Sequence, residues 1–123
     1  NIEIFQKEKT LAKLQPKIKT MARLLQPLRQ LPHVGEIRQQ GFIVAIELVA
    51  NKQTKKPYLL EARIGHKVAM DARNRGLLLR PIGNVIVLMP PLSTSLPELK
   101  RMVEILREAI EAVTLLPAAG AGS

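Results

Sequence analysis

The spacing of hydrophobic and polar positions along the chain predicts helices alternating with strands, in the order helix, strand, helix, strand, helix. The first helical pattern runs from Asn1 to about Leu31. We expect it to be broken into two pieces because Pro16 and Pro27 each remove a backbone donor. Val34 to Arg38 is a short strand candidate, and the nearly continuous apolar run Phe42 to Val49 is the strongest strand of the sequence.

The middle of the chain predicts a loop, a second helix and a hairpin. Asn51 to Pro57 is polar and has the length of a surface loop. A helical pattern follows and ends at Arg75-Gly76; its apolar residues recur every four positions at Leu60, Ile64, Val68 and Ala72. Leu77 to Leu79 is interpreted as a buried strand, and Gly83-Asn84 as the tight turn before the returning strand Val85 to Leu88.

The last predicted element is a long amphipathic helix that begins with a capping box. The Ser95 side chain can accept from the backbone of Glu98, while the Glu98 side chain reaches back to Ser95. The predicted buried face of this helix contains Leu99, Met102, Val103, Leu106, Ile110 and Val113. Residues 114–123 lack periodicity and are expected to form a disordered or artificially added tail. The elements together predict an α+β fold, in which helices cover one face of a small antiparallel sheet of three to four strands.

Composition limits the chain to one modest domain and excludes several kinds of site. The 123 residues are 46% hydrophobic, which is enough for one small core. The chain has no cysteine, and its two histidines, His33 and His66, are too far apart in sequence to indicate a metal cluster. No apolar run reaches the roughly 20 residues that span a bilayer, and no secretion signal is recognisable, so we expect no membrane partner and a cytoplasmic location.

Net charge raises the question of a nucleic-acid partner. Lysine and arginine number 19 against 10 acidic residues, a net charge of +9, and much of the excess lies between Lys7 and Arg29 in an amphipathic helical pattern. Nucleic-acid domains usually add aromatic stacking residues, but the aromatic residues here are only Phe5, Phe42 and Tyr58. A solvated basic helix face is therefore the favoured interpretation, and no nucleic-acid partner is expected.

Arg80 is the residue most indicative of a binding site. It interrupts the apolar hairpin, and an arginine there is costly unless an anion meets it. Its planar guanidinium has five donors and suits a carboxylate. The alternative is that Arg80 pairs with an acid elsewhere in the domain or reaches solvent. The sequence contains no convincing set of catalytic residues, since Ser93, Thr94 and Ser95 are better explained as a loop and a helix cap.

Several ordered motifs carry a resemblance to a known family. They are Pro32 to Phe42, Ala45 to Val49, Arg75-Gly76, Leu79-Arg80-Pro81 and Val85 to Pro91. Over residues 1–113 the chain resembles the carboxy-terminal small domain of class III pyridoxal-phosphate-dependent aminotransferases, which have fold type I. The segments Thr10 to Ile18 and Thr54 to Tyr58 are most similar to the biotin-pathway branch, whose members convert 8-amino-7-oxononanoate to 7,8-diaminononanoate.

The resemblance implies a cofactor and partners that lie outside this sequence. Family members hold pyridoxal phosphate on a lysine of a large domain and are generally homodimers. Neither that lysine nor the aspartate at the pyridine nitrogen can be assigned here, so the resemblance implies a missing large domain, a second subunit, and no activity of the fragment alone. One role does carry over, because Arg80 matches the arginine that binds the substrate carboxylate; no catalytic, cofactor-binding or metal residue is assigned.

Three further interpretations remain open at this point. The chain can be the small domain of another class III aminotransferase, of the ornithine, acetylornithine or 4-aminobutyrate type. It can also be a basic nucleic-acid-binding module, which predicts steeply salt-dependent binding. A self-associating domain is the third possibility, since exposed apolar strands can pair between chains.

Overall fold

The computed structural model describes residues 15–115, which form three α-helices and five short strands. The helices are α1 (residues 15–25), α2 (Ile64–Asn74) and α3 (Leu96–Thr114). The strands are β1 (Val34–Gln40), β2 (Ile43–Asn51), β3 (Lys56–Pro57), β4 (Arg80–Ile82) and β5 (Val85–Leu88). Two 3-10 turns, Gln26–Gln30 and Leu60–Ala62, precede β1 and α2. The predicted helix over residues 1–14 and residues 116–123 of the predicted tail lie outside the described residues. The predicted start of that tail is wrong at Thr114, which is the last residue of α3.

Four strands form an antiparallel sheet in the order β1-β2-β5-β4, and β3 pairs separately with β2. The α+β prediction is confirmed, and β3 brings the strand number to five, one more than the upper expectation. β3 arises inside the predicted polar loop. Asn51 Oδ1 accepts from the backbone N–H groups of Gln53 at 2.9 Å and Thr54 at 3.1 Å, and this turn brings Lys56 back to pair with Asn51.

The hydrophobic core lies between one face of the sheet and the helices. Its sheet side is formed by alternate residues of β2 and β5, among them Val44, Ile46, Leu48, Ile86 and Leu88. Its α3 side consists of Leu99, Val103, Ile105, Leu106, Ala109 and Ile110. The predicted α3 face is confirmed, with Met102 and Val113 packed partly buried at its margin. Each large apolar side chain contributes about 1.5 to 3 kcal/mol when fully buried, so this layer holds the helices on the sheet.

The amphipathic basic pattern is confirmed over residues 15–25. Met21 and Leu25 are fully buried on one side of α1, while Lys19 and Arg23 on the other side are exposed. The chain leaves the α-helix as predicted near Pro27, which lies in the first turn of the following 3-10 segment.

The predicted start of the second helix is wrong by one turn. Leu60 lies in a separate 3-10 turn and is 78% exposed, because Arg63 adopts a left-handed conformation with φ of 47° and separates that turn from α2. Ile64, Val68 and Ala72 are buried as predicted. The spacing of apolar residues every four positions therefore continues across the break in the helical backbone at Arg63, and the sequence pattern does not reveal that break.

The prediction of a buried strand at Leu77 to Leu79 is also wrong. The backbone N–H of Leu77 donates to Ala72 O at 2.8 Å and that of Gly76 donates to Arg73 O at 3.0 Å, which is a Schellman motif closing α2. Gly76 supplies the required positive φ of 99°. Because its N–H is used by the helix cap, Leu77 is buried against the core without joining the sheet, and β4 begins only at Arg80.

The capping box at the start of α3 is confirmed. Glu98 N donates to Ser95 Oγ at 3.3 Å, and Ser95 N donates to Glu98 Oε1 at 2.9 Å. Two hydrogen bonds with Ser95 lower the pKa of the Glu98 carboxyl below its ordinary value. The bond from the Ser95 backbone has the larger effect, and the bond with the Ser95 side chain has the smaller one.

Ser95→Ala is expected to lower the unfolding free energy of the chain by about 1 kcal/mol at neutral pH, because the Glu98 N–H loses its acceptor. The Glu98 carboxylate also makes the unfolding free energy depend on pH, with a sign that follows from its pKa. Since the folded-state pKa of Glu98 is lowered, its contribution is present above the unfolded-state pKa and is lost as the pH falls through the folded-state value. Urea unfolding between pH 7 and pH 3 measures both effects, and Glu98→Gln should remove the pH-dependent part. Equal pH profiles for the wild type and Glu98→Gln would contradict this assignment.

Candidate functional site

The face of the sheet turned away from the helices forms the candidate site. Strand pairing places one row of side chains across it, with Arg38 opposite Ala45, Ala45 opposite Val87, and Val87 opposite Arg80. The next row contains Glu36, Glu47, Val85 and Ile82. Ala45, Val85 and Val87 are partly exposed and form a small aliphatic floor in the middle of this open face, which they share with the partly exposed Glu47.

Arg80 stands at one end of its row with a free guanidinium. It is exposed at the start of β4, and within residues 15–115 it makes neither an ion pair nor a side-chain hydrogen bond. Arg38, three strand spacings or about 14 Å away, differs because it pairs with Glu36 at 3.2 Å. Of the two alternatives, pairing with an acid of the same domain finds no partner in the described part of the chain. The other alternative matches the structure, because the Arg80 side chain is exposed to solvent. Arg80 is available to bind an anion beside the aliphatic floor.

The hairpin that carries Arg80 is anchored at its turn. Gly83-Asn84 connects β4 to β5 as predicted, and the positive φ of 59° at Gly83 alone fits a type II′ turn. Asn84 O accepts from the backbone N–H of Leu48 at 2.8 Å, and Asn84 Nδ2 donates to Tyr58 O at 3.2 Å. Burial raises the pKa of the Tyr58 hydroxyl.

An open cleft of about 360 Å³ lies between α2 and this hairpin; its lining residues are Leu60, Arg63, His66, Pro81, Gly83 and Asn84. Alternation along β4 puts Pro81 on the opposite side of the strand from Arg80, so the cleft and the open face are separate surfaces. His66 is exposed at the cleft, as the sequence predicts for a surface histidine. Sequence reasoning missed the left-handed conformation of Arg63 and the hydrogen bond from Asn84 to Tyr58, because residue spacing reveals neither backbone dihedral angles nor contacts between distant segments.

His33 lies against β2 and Tyr58. His33 Nδ1 donates to Val49 O at 3.0 Å, and its ring lies 5.8 Å from that of Tyr58. Among residues 15–115, no group of three or more metal-ligating side chains comes together. In the same range, no helix is both long and apolar enough to cross a membrane.

The described residues do not fit the cofactor-binding positions of an aminotransferase. Lys52 is occupied structurally, since its Nζ donates to Leu31 O at 3.2 Å and also to Arg29 O. The other lysines of the described range lie on the surface or half-buried at it. Asp71, the single aspartate of the chain, pairs with Arg75 at 2.6 Å on the surface of α2, and this hydrogen bond raises the pKa of Arg75. Among residues 15–115, no buried lysine or aspartate is available to hold pyridoxal phosphate.

Comparison with known proteins decides the family. The sequence family model for class-III aminotransferases matches residues 1–110 of this chain. The chain belongs to this family. Among its class III relatives, the adenosylmethionine-8-amino-7-oxononanoate aminotransferase of Nitratidesulfovibrio vulgaris is 51% identical over 114 residues, which are 93% of this chain and 21% of the relative.

Solved structures of aminotransferases share the fold. The crystal structure of adenosylmethionine-8-amino-7-oxononanoate aminotransferase from Methanocaldococcus jannaschii superposes with a TM-score of 0.84 at 45% identity, over 91% of this chain and 26% of that one. An omega transaminase from Pseudomonas jessenii, solved in complex with PMP, gives a TM-score of 0.83 at 28% identity over 97% of this chain and 26% of its own. The class III chain described here thus spans about a quarter of the length of the relatives it matches.

Proposed function

We propose that this chain is the carboxy-terminal small domain, over residues 1–113, of an aminotransferase that converts 8-amino-7-oxononanoate to 7,8-diaminononanoate in biotin synthesis. The observation that carries the proposal is the unpaired Arg80 guanidinium beside the aliphatic floor of the open sheet face. The relatives from N. vulgaris and M. jannaschii, at 51% and 45% identity, bear the name of this activity.

The chemistry of the open face suits this substrate. An oxononanoate has a carboxylate at one end of a methylene chain, and Arg80 offers a planar donor fork for the carboxylate. Val87 lies directly opposite Arg80, and Ala45 follows in the same row. These side chains are short and apolar, so a methylene chain extending from the bound carboxylate can lie across them. Arg80 would orient the substrate and take no part in bond making.

The remaining parts of the enzyme are proposed to come from outside this chain. We assign pyridoxal phosphate to a large domain, because the described residues lack a lysine and an aspartate suited to it. That domain and the second subunit of a homodimer are the expected partners. The open face, which no helix of the described residues covers, is the surface where the bound substrate and the large domain would meet. We place the enzyme in the cytoplasm and expect the 123-residue chain alone to be inactive.

The test is a substrate comparison with the full-length gene product that contains this chain. Amination of 8-amino-7-oxononanoate, with adenosylmethionine or lysine as donor, should proceed with a kcat/KM at least 100-fold above that for ornithine, acetylornithine or 4-aminobutyrate. The isolated 123-residue chain, assayed in parallel, should show no turnover. A preference for one of the other three substrates would overturn the proposed substrate and place the chain in another branch of class III.

A further inference from the structure

Helix α2 contacts the β4–β5 turn through backbone atoms, with no side chain of Gly65 between them. Gly65 is buried in the first turn of α2, and a Cβ placed on it would lie 2.4 Å from Gly83 O and 3.5 Å from Val85 O. Both of these neighbours are backbone oxygens, which cannot swing aside as a flexible side chain can.

Two hydrogen bonds hold the same turn from other directions. Asn84 O accepts from Leu48 N of β2 at 2.8 Å, and Asn84 Nδ2 donates to Tyr58 O, in the segment after β3, at 3.2 Å. Three separate segments of the chain therefore determine where Gly83 and Asn84 lie.

Arg80 is close enough to this turn to move with it. β4 has three residues and pairs with a single strand, β5, at the edge of the sheet. Arg80 lies three residues before Gly83, about 10 Å along the strand. A displacement of the turn thus shifts the whole short strand, whose outer edge pairs with no other strand of the described sheet.

We infer that Gly65 and Asn84 are positioning residues, which act through the β4–β5 turn to set the guanidinium of Arg80 at its substrate. This inference rests on the proposed function. Neither residue contacts substrate in this assignment, and both determine KM through the placement of Arg80.

The decisive experiment is a double-mutant cycle in the full-length enzyme. Gly65→Ala should lower kcat/KM for 8-amino-7-oxononanoate about tenfold or more, mainly through KM, because displacements on the scale of 1 Å can cost up to about 100-fold. In the Arg80→Ala background the same change should lower kcat/KM by less than about twofold, since the residue through which it acts is gone. The absorption spectrum of the bound cofactor should be the same in all four proteins.

Asn84→Asp provides a second, milder variant in case Gly65→Ala does not fold. It keeps the shape and turn preference of the side chain but removes the donor to Tyr58 O, so kcat/KM should fall about threefold to tenfold, again only while Arg80 is present. Gly35→Ala is the matched control. It crowds Val49, with a Cβ 2.7 Å from Val49 Cγ1, next to the opposite edge of the sheet, and should leave KM within twofold.

The outcomes separate the two proposals. The positioning role is overturned if Gly65→Ala and Asn84→Asp lower kcat/KM equally in the presence and in the absence of Arg80. It is also overturned if these two variants leave KM unchanged while Arg80→Ala raises KM. If Arg80→Ala itself leaves kcat/KM unchanged, the assignment of Arg80 in the proposed function fails and the inference fails with it.

Discussion

Replacing Arg80 by alanine in the full-length enzyme is expected to lower kcat/KM for 8-amino-7-oxononanoate about 100-fold, equivalent to about 2.7 kcal/mol. The substrate carboxylate would lose a charge-assisted partner whose planar fork can donate two parallel hydrogen bonds, and no other guanidinium shares that end of the row. Steady-state kinetics measures the loss. Because no described residue fits a cofactor role, the cofactor spectrum should stay unchanged.

Two companion variants sharpen this prediction. Arg80→Lys keeps the charge but loses the planar fork, so its kcat/KM should lie between those of the wild type and the alanine variant. Arg38→Ala removes an arginine from the same row of the open face, one already paired with Glu36, and should change kcat/KM by less than twofold. Similar losses from Arg38→Ala and Arg80→Ala would point to a general charge effect and against a specific carboxylate site.

Leu106→Ala is expected to lower the unfolding free energy of the chain by about 3 to 5 kcal/mol. Leu106 is fully buried in α3 at the layer between helices and sheet, and its truncation removes apolar contact and leaves a cavity in a closely packed core. Against the typical total stability of a small domain, about 5 to 15 kcal/mol, this is a large fraction. Urea unfolding followed by far-ultraviolet circular dichroism measures it.

The neighbouring residue supplies the control for Leu106→Ala. Arg107 is exposed and pairs with Glu111 at 3.4 Å, one turn further along α3. Exposed pairs of this kind contribute about 0.3 to 0.5 kcal/mol, so Arg107→Ala should be nearly neutral. A loss below about 1 kcal/mol for Leu106→Ala would show that α3 is not part of a cooperative core.

Features governed by neighbours in sequence were predictable. The Ser95–Glu98 capping box, the buried stripe of α3 and the Gly83-Asn84 turn all depend on residues at most a few turns of chain apart. Arg80 could also be singled out, since it is a lone arginine between apolar residues, but its role as a carboxylate ligand stays a prediction. The family resemblance is confirmed by the match over residues 1–110.

The predictions that the structure contradicts, at Leu60 and at Leu77, lie where the hydrophobic pattern competed with a local backbone conformation. Leu77 has the composition of a strand, yet the Schellman motif uses its N–H, and Leu60 fits a helical period that Arg63 interrupts. Both outcomes depend on backbone hydrogen bonds and dihedral angles, which hydrophobic periodicity does not encode.

The sequence by itself determined the α+β class, the cap and buried stripe of α3, and the β4–β5 turn. It also singled out Arg80, whose role as a carboxylate ligand stays a prediction. Only the tertiary structure decided that β2 pairs with β5 across the intervening residues 52–84, which places Arg80 in one row with Val87 and Ala45. It also decided that Arg80 has no acidic partner in the described chain and that Gly65 meets the hairpin turn. The physical reason is that pairing register and close backbone approach arise from packing between segments remote in sequence, whereas caps, turns and amphipathic stripes arise within them.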